Sequence, residues 1–161
     1  MKTVTIGFSR PKNKLFPIGS WLIRMYQGWT PYSHVYLEFY SESINRPLIY
    51  EAVGTGTRFV GQKYWQKHAE EVKSYTIEVK KCNYDQLIQY CVDNEGNSYG
   101  HLQNIGLFIS NALGLKKNIF KSGYNCSEEI GKILLLEGYK IDKDLNLLTP
   151  RDIELILLAG K

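Results

Sequence analysis

His34-Val35-Tyr36-Leu37-Glu38-Phe39-Tyr40 alternates in polarity without a break. Val35, Leu37 and Phe39 share one side, while His34, Tyr36, Glu38 and Tyr40 share the other. That is the two-residue period of a strand with one face on a core. Residues 48–53 form the next strand, and a hairpin turn over 45–47 joins the two. Working outward, residues 3–8 set Val4, Ile6 and Phe8 against Thr3, Thr5 and Gly7, a further strand. Residues 57–60 make a short strand, and 74–80 alternate through Tyr75, Ile77 and Val79. Residues 19–27 read as a short helix broken by Gly28 and Pro31, and 62–71 as another helix. The second half is mostly helical. Asn83 and Gln86 have capping-box spacing, and residues 101–115 carry Leu102, Ile105, Phe108, Ile109 and Ala112 at helical spacing. Asn125 and Glu128 make another capping-box pair before Ile130, Ile133 and Leu134, with Gly138 at the end. Thr149, Pro150 and Asp152 open a last helix, with Pro at a tolerated first position. The expected fold class is α+β, a single domain over 1–161 with an antiparallel sheet packed on helices.

Composition agrees with a folded domain. The chain has 161 residues, 43% hydrophobic and 22% charged, which argues against disorder as its main state. The formal net charge is +4, but Lys and Arg are dispersed, and the longest basic runs are doublets such as Lys80-Lys81 and Lys116-Lys117. Such doublets read as solvated surface, so no nucleic-acid partner is expected. No apolar run approaches the roughly 20 residues that span a bilayer, so no transmembrane segment is expected. Residues 1–8 lack the pattern of a secretory signal. A cytoplasmic location is therefore expected, or a phage-encoded protein delivered by another route. Cys82, Cys91 and Cys126 are odd in number and far apart, which argues for a reducing compartment. No CxxC or HxxxH pair occurs, and His34, His68 and His101 are widely separated, so neither a metal nor a cofactor is expected.

One position carries a chemical signal of its own. Cys126 falls in the first turn of a predicted helix, where unpaired backbone N–H groups favour a thiolate. The same N–H groups can stabilise an oxyanion. Position alone is equally compatible with a small, buried packing residue. Cys91 lies on the apolar side of its helix and reads as core. His34 opens a strand on its more polar side, where it can take a proton from a nucleophile or stand simply as a satisfied histidine. Glu51 sits in an otherwise apolar strand and needs a partner if it is interior. Orienting a histidine would supply one, and facing water at a sheet edge would too.

Three segments occur in a telling order: Ser33-His34-Val35-Tyr36-Leu37-Glu38, Ile49-Tyr50-Glu51-Ala52-Val53-Gly54 and Tyr124-Asn125-Cys126-Ser127-Glu128-Glu129-Ile130. This resembles the YiiX-like group of permuted NlpC-type papain-fold enzymes, whose pattern is a strand His, an acid in an EA-x-G strand, and a Cys opening a helix. The resemblance covers about residues 30 to 155. Leu148-Thr149-Pro150-Arg151-Asp152 resembles the family's (S/T)P-x-D helix start, and Tyr99-Gly100 the loop before the helix preceding the Cys. It implies a circularly permuted papain-like fold, with Cys126 as nucleophile, His34 as base and Glu51 as orienting acid. The implied activity is a cysteine peptidase or amidase working through an acyl-cysteine, on peptide or peptidoglycan substrates. The alternatives are an acyl-lipid substrate, as for a lipid acyltransferase, lipase or thioesterase of the lecithin:retinol acyltransferase type, and a non-catalytic binding module retaining the fold. Glu38 departs from the more uniformly apolar family strand. Tyr32 and Ser33 are candidates for completing the oxyanion hole, and Trp21, Arg24 and Tyr26 for lining the cleft.

Overall fold

The polarity alternation is realised as five strands, β1 (Thr3–Pro11), β2 (His34–Ser41), β3 (Arg46–Val53), β4 (Gly56–Gly61) and β5 (Ala69–Glu78). They form one antiparallel sheet in the order β4-β3-β2-β1-β5. The computed structural model describes residues 2–12, 18–79, 84–120 and 123–160. Within them lie six helices: α1 (Ile18–Tyr26), α2 (Gln62–His68), α3 (Tyr84–Asp93), α4 (His101–Ala112), α5 (Cys126–Leu136) and α6 (Pro150–Ala159). The protein is therefore mixed α+β, with strands early and helices late. None of these helices is long and apolar enough to cross a membrane.

The two sides of the sheet do different jobs. Val35, Leu37 and Phe39 of β2 join Val4, Ile6 and Phe8 of β1 in the main core, packed on Ile130, Ile133 and Leu134 of α5. Cys91 of α3 is fully buried in this core, as its apolar position implies. On the opposite side Tyr36 and Ile49 pack on Trp65 of α2 in a second, smaller cluster. Gly7 pairs across the sheet with Tyr36. A Cβ at Gly7 would overlap the Tyr36 ring, so the Gly in the β1 alternation makes room for that ring.

The structure moves several sequence-derived boundaries. The β2–β3 turn occupies residues 42–45, not 45–47: Ser41 pairs with Arg46 and Tyr40 with Pro47. Asn45 takes a left-handed conformation (φ 49°) that Asn tolerates in turns. Pro47 is acceptable in the strand because β4 pairs with β3 only from Leu48 onward, leaving one side of Pro47 without a ladder to break. Helix α2 ends at His68 rather than at residue 71, because residues 69–71 are taken by β5. There Ser9, Arg10 and Pro11 pair with Glu71, Glu70 and Ala69 beyond a bulge at Phe8/Ser9. Strand pairing with an extended β1 overrides the local helical pattern. Helix α4 stops at Ala112, just before Gly114 with φ 67°. The capping residue expected at Asn83, Cys82 and the Lys80-Lys81 doublet lie outside the described residues.

The last two helix starts follow the sequence closely. The Asn125 side chain accepts from the Glu128 N–H at 2.8 Å, capping α5. The reciprocal half of that capping box is not made, because the Glu128 carboxylate takes Gln103 and Lys132 instead. At α6 the full box forms between Thr149 and Asp152, with Pro150 in the first turn.

Candidate active site

His34 is the first residue of β2 and Cys126 the first of α5, and α5 packs on β2. That packing brings a strand end and a helix start together, and sets the Cys126 thiol near enough to the His34 imidazole for each to shift the titration of the other. On its other side, His34 Nε2 lies 3.1 Å from Glu51 Oε2. With Nε2 committed to Glu51, Nδ1 is the ring nitrogen left for the thiol. The structure thus joins residues 34, 51 and 126, which are far apart in the chain. Glu51 is not an edge carboxylate facing water: its side chain is 3% exposed.

Glu51 has two further partners that sequence reading missed. Arg58 donates to Glu51 Oε1 through Nε at 3.0 Å and Nη2 at 2.7 Å. Trp65 Nε1–H donates to Oε2 at 3.1 Å. The signal for Arg58 was present in the sequence. Val53 pairs with Gly56 across a two-residue turn, so Glu51 faces Arg58 in register. Trp65 had no comparable signal, because it arrives from α2 on the outer side of the sheet.

The electrostatics point one way. Burial alone would push the Cys126 thiol up, but the charge of the neighbouring His34, with the Val35 N–H and the Ser127 side chain, holds it below the ordinary thiol range. Burial would lower His34, but the Cys126 charge and the hydrogen bond to Glu51 raise it well above the usual histidine range. Burial opposes ionisation of Glu51 too, yet His34 and Arg58 bring it down to about 2. All three shifts favour a thiolate–imidazolium pair backed by a carboxylate.

Two cavities meet at this pair. A small one, about 20 Å³, is lined by Cys126, Asn125, Ser127 and Ser33 with a mostly apolar remainder including Ile23, Tyr26, Leu107 and Phe108. A larger one, about 380 Å³, is lined by His34, Glu51, Arg58 and Trp65. Ile23, Ser33, Tyr99 and Asn104 border both. All three histidines, widely separated in sequence, line the larger cavity. His68 Nδ1–H donates to the Tyr64 carbonyl at 3.0 Å, and His101 Nε2–H to that of Gly54 at 3.1 Å. Among the described residues no group of three or more His, Cys, Asp or Glu is arranged to hold a metal ion.

The sequence matches no family model and no curated protein.

The remaining sequence candidates divide. Of Trp21, Arg24 and Tyr26, Tyr26 alone lines either of these two cavities; Trp21 stacks edge-on with Trp29, and Arg24 holds the Thr30 carbonyl. The Tyr32 phenol is buried against Glu154, away from the cavities. The Ser33 N–H is spent on the Ser9 carbonyl and its hydroxyl lies 2.6 Å from that of Ser20. Asn125 stands out instead. Its Oδ1 is committed to the helix cap, while its Nδ2 is buried beside Cys126 with no partner among the described residues. Sequence reading used Asn125 only as a cap.

Proposed function

We propose that this chain is a cysteine-dependent acyl-transfer enzyme on a circularly permuted papain-like (NlpC-type) fold, with Cys126 as nucleophile, His34 as acid and base, and Glu51 as the group that orients His34. One observation carries it: a thiol at a helix N-terminus stands beside a histidine whose Nε2 is held by a buried carboxylate. The chain order, His before Cys, is the reverse of the papain order and suits a permutation.

The Cys126 thiolate attacks a substrate carbonyl carbon, and the C=O π electrons move onto oxygen. The amides of Cys126 and Ser127 open α5, where backbone N–H groups lack intrahelical acceptors, and they face the developing oxyanion together with Asn125 Nδ2. The small cavity is sized for that one oxygen, and its apolar walls strengthen each donor. On collapse the leaving group takes the His34 proton and departs through the larger cavity, leaving an acyl-cysteine. Water then gives a proton to His34, adds to the acyl carbon, and expels the thiolate. An amide bond in a peptide, including a peptidoglycan stem peptide, is the first substrate class. An acyl-lipid ester is the second, favoured by exposed apolar side chains on α1 and α4, the helices that wall the small cavity.

The test is covalent trapping. Mixing the protein with an activated short-chain ester and measuring intact mass is expected to show one acyl adduct, mapped to Cys126, and none in Cys126→Ser. His34→Ala is expected to slow its formation by about 10²-fold or more. Acylation spread equally over Cys126 and Cys91, or unchanged by His34→Ala, overturns the proposal.

A further inference from the structure

The acidic residues of this chain are distributed unevenly. Residues 1–37 and 96–127 hold eight of the 20 Lys and Arg and none of the 16 Asp and Glu, so they carry +8 while the rest of the chain carries −4. Lys and Arg are dispersed, but the acids are segregated. These same two stretches supply α1 and α4, which meet through the Tyr26 and Phe108 rings at 5.5 Å.

Both helices turn apolar side chains outward. On α1 and the turn after it, Trp21, Leu22, Met25 and Trp29 are exposed, Trp29 at 59%. On α4, Leu102, Ile105 and Ile109 are exposed and recur at three- and four-residue spacing, and Leu113 follows at 68% exposure. Buried residues of α4, Gln103, Gly106, Leu107 and Ser110, occupy an adjacent stripe of the helix. The segment beyond α4 continues the pattern with Ile119 and Phe120 beside Lys116 and Lys117. Neither lysine is paired with a carboxylate among the described residues.

We propose that the face built from α1, α4 and the segment after α4 docks on a bilayer surface containing anionic lipids. Exposed Trp and aliphatic side chains on segments that carry cations and no acids of their own form the chemical complement of such an interface: apolar groups enter the headgroup–acyl boundary and lysines meet anionic headgroups. A second copy of the same chain would set like charges against each other on this face. Docking here seats the helices that wall the Cys126 cavity at the lipid. It does not depend on the catalytic proposal, since no residue of the face takes part in the chemistry.

The experiment is flotation of the full chain with phosphatidylcholine vesicles, with and without about one-third phosphatidylglycerol, read alongside tryptophan emission. Binding to the anionic vesicles with a blue-shifted emission is expected, and weak binding to the neutral ones. Trp21→Ser with Trp29→Ser, and separately Ile105→Ser with Ile109→Ser, are each expected to weaken binding about tenfold or more, with the circular dichroism melt unchanged. Lys116→Glu with Lys117→Glu is expected to weaken binding at low salt and to matter less at high salt. Cys126→Ser is expected to bind as the parent does, so failure of the catalytic proposal leaves this one standing. Three results overturn it: no preference for anionic vesicles, binding indifferent to both apolar pairs, or a concentration-dependent dimer that the same substitutions abolish.

Discussion

Glu51 is a carboxylate with almost no water and three side-chain partners, His34, Arg58 and Trp65. Its ionised form is favoured in the fold, down to about 2 from an ordinary value of 4.5. A carboxyl lowered on folding adds stability above its unfolded value, and that stability is lost as pH falls through the folded one. The difference amounts to about 3 kcal/mol. Glu51→Gln is therefore expected to flatten the fall in unfolding free energy between pH 5 and pH 2, measured by urea denaturation across that range. Cys126 and His34 run in opposite directions: the thiol is lowered and the imidazole raised. The two shifts widen the pH window in which the ion pair is favoured; it is lost on the acid side as the thiolate is protonated, and on the alkaline side as His34 loses its proton. Iodoacetamide alkylation of Cys126 is expected to rise with pH at an inflection below that of an ordinary thiol. In His34→Ala burial remains without its counter-charge, so the inflection is expected to move above the ordinary range, an outcome readable by mass spectrometry of the labelled peptide.

Helix α5 shows how one element carries both a cap and a site. Asn125 is legible as a cap because Asn, followed three residues later by Glu, opens an apolar run. What the sequence could not show is that Glu128 is drawn away to Gln103 and Lys132, or that Asn125 Nδ2 is left buried beside the thiol. Asn125→Ser keeps a capping oxygen and removes the amide donor. It is expected to cost about 10²-fold in kcat with little change in KM, and less than about 1 kcal/mol in stability, measured by steady-state kinetics and thermal melts on the same samples. An equal loss in kcat and melting temperature would return Asn125 to a purely structural role. The boundary between α2 and β5 marks the limit of local reading. Residues 69–71 carry a helical pattern, but an extended β1 needed a partner for Arg10 and Pro11, and Glu70 pairs with Arg10 through two hydrogen bonds.

At the scale of the molecule, the sheet separates two layers, and Gly7 leaves the Tyr36 ring its place in the smaller one. Gly7→Ala is expected to destabilise by about 2 kcal/mol or more, since Tyr36 is fully buried under Trp65 and has nowhere to retreat. Urea denaturation of the single variant measures this, and Gly7→Ala with Tyr36→Leu is expected to recover part of the loss. By itself the sequence determined the α+β class, most elements, the helix start at Cys126 and the core role of Cys91, because periodicity and capping are written in neighbouring residues. Only the tertiary structure decided that residues 34, 51 and 126 meet, that Arg58 and Trp65 hold Glu51, and that the exposed sides of α1 and α4 adjoin. Those facts depend on which strand pairs with which and which helix packs on the sheet, and contacts between distant residues leave no period in the chain.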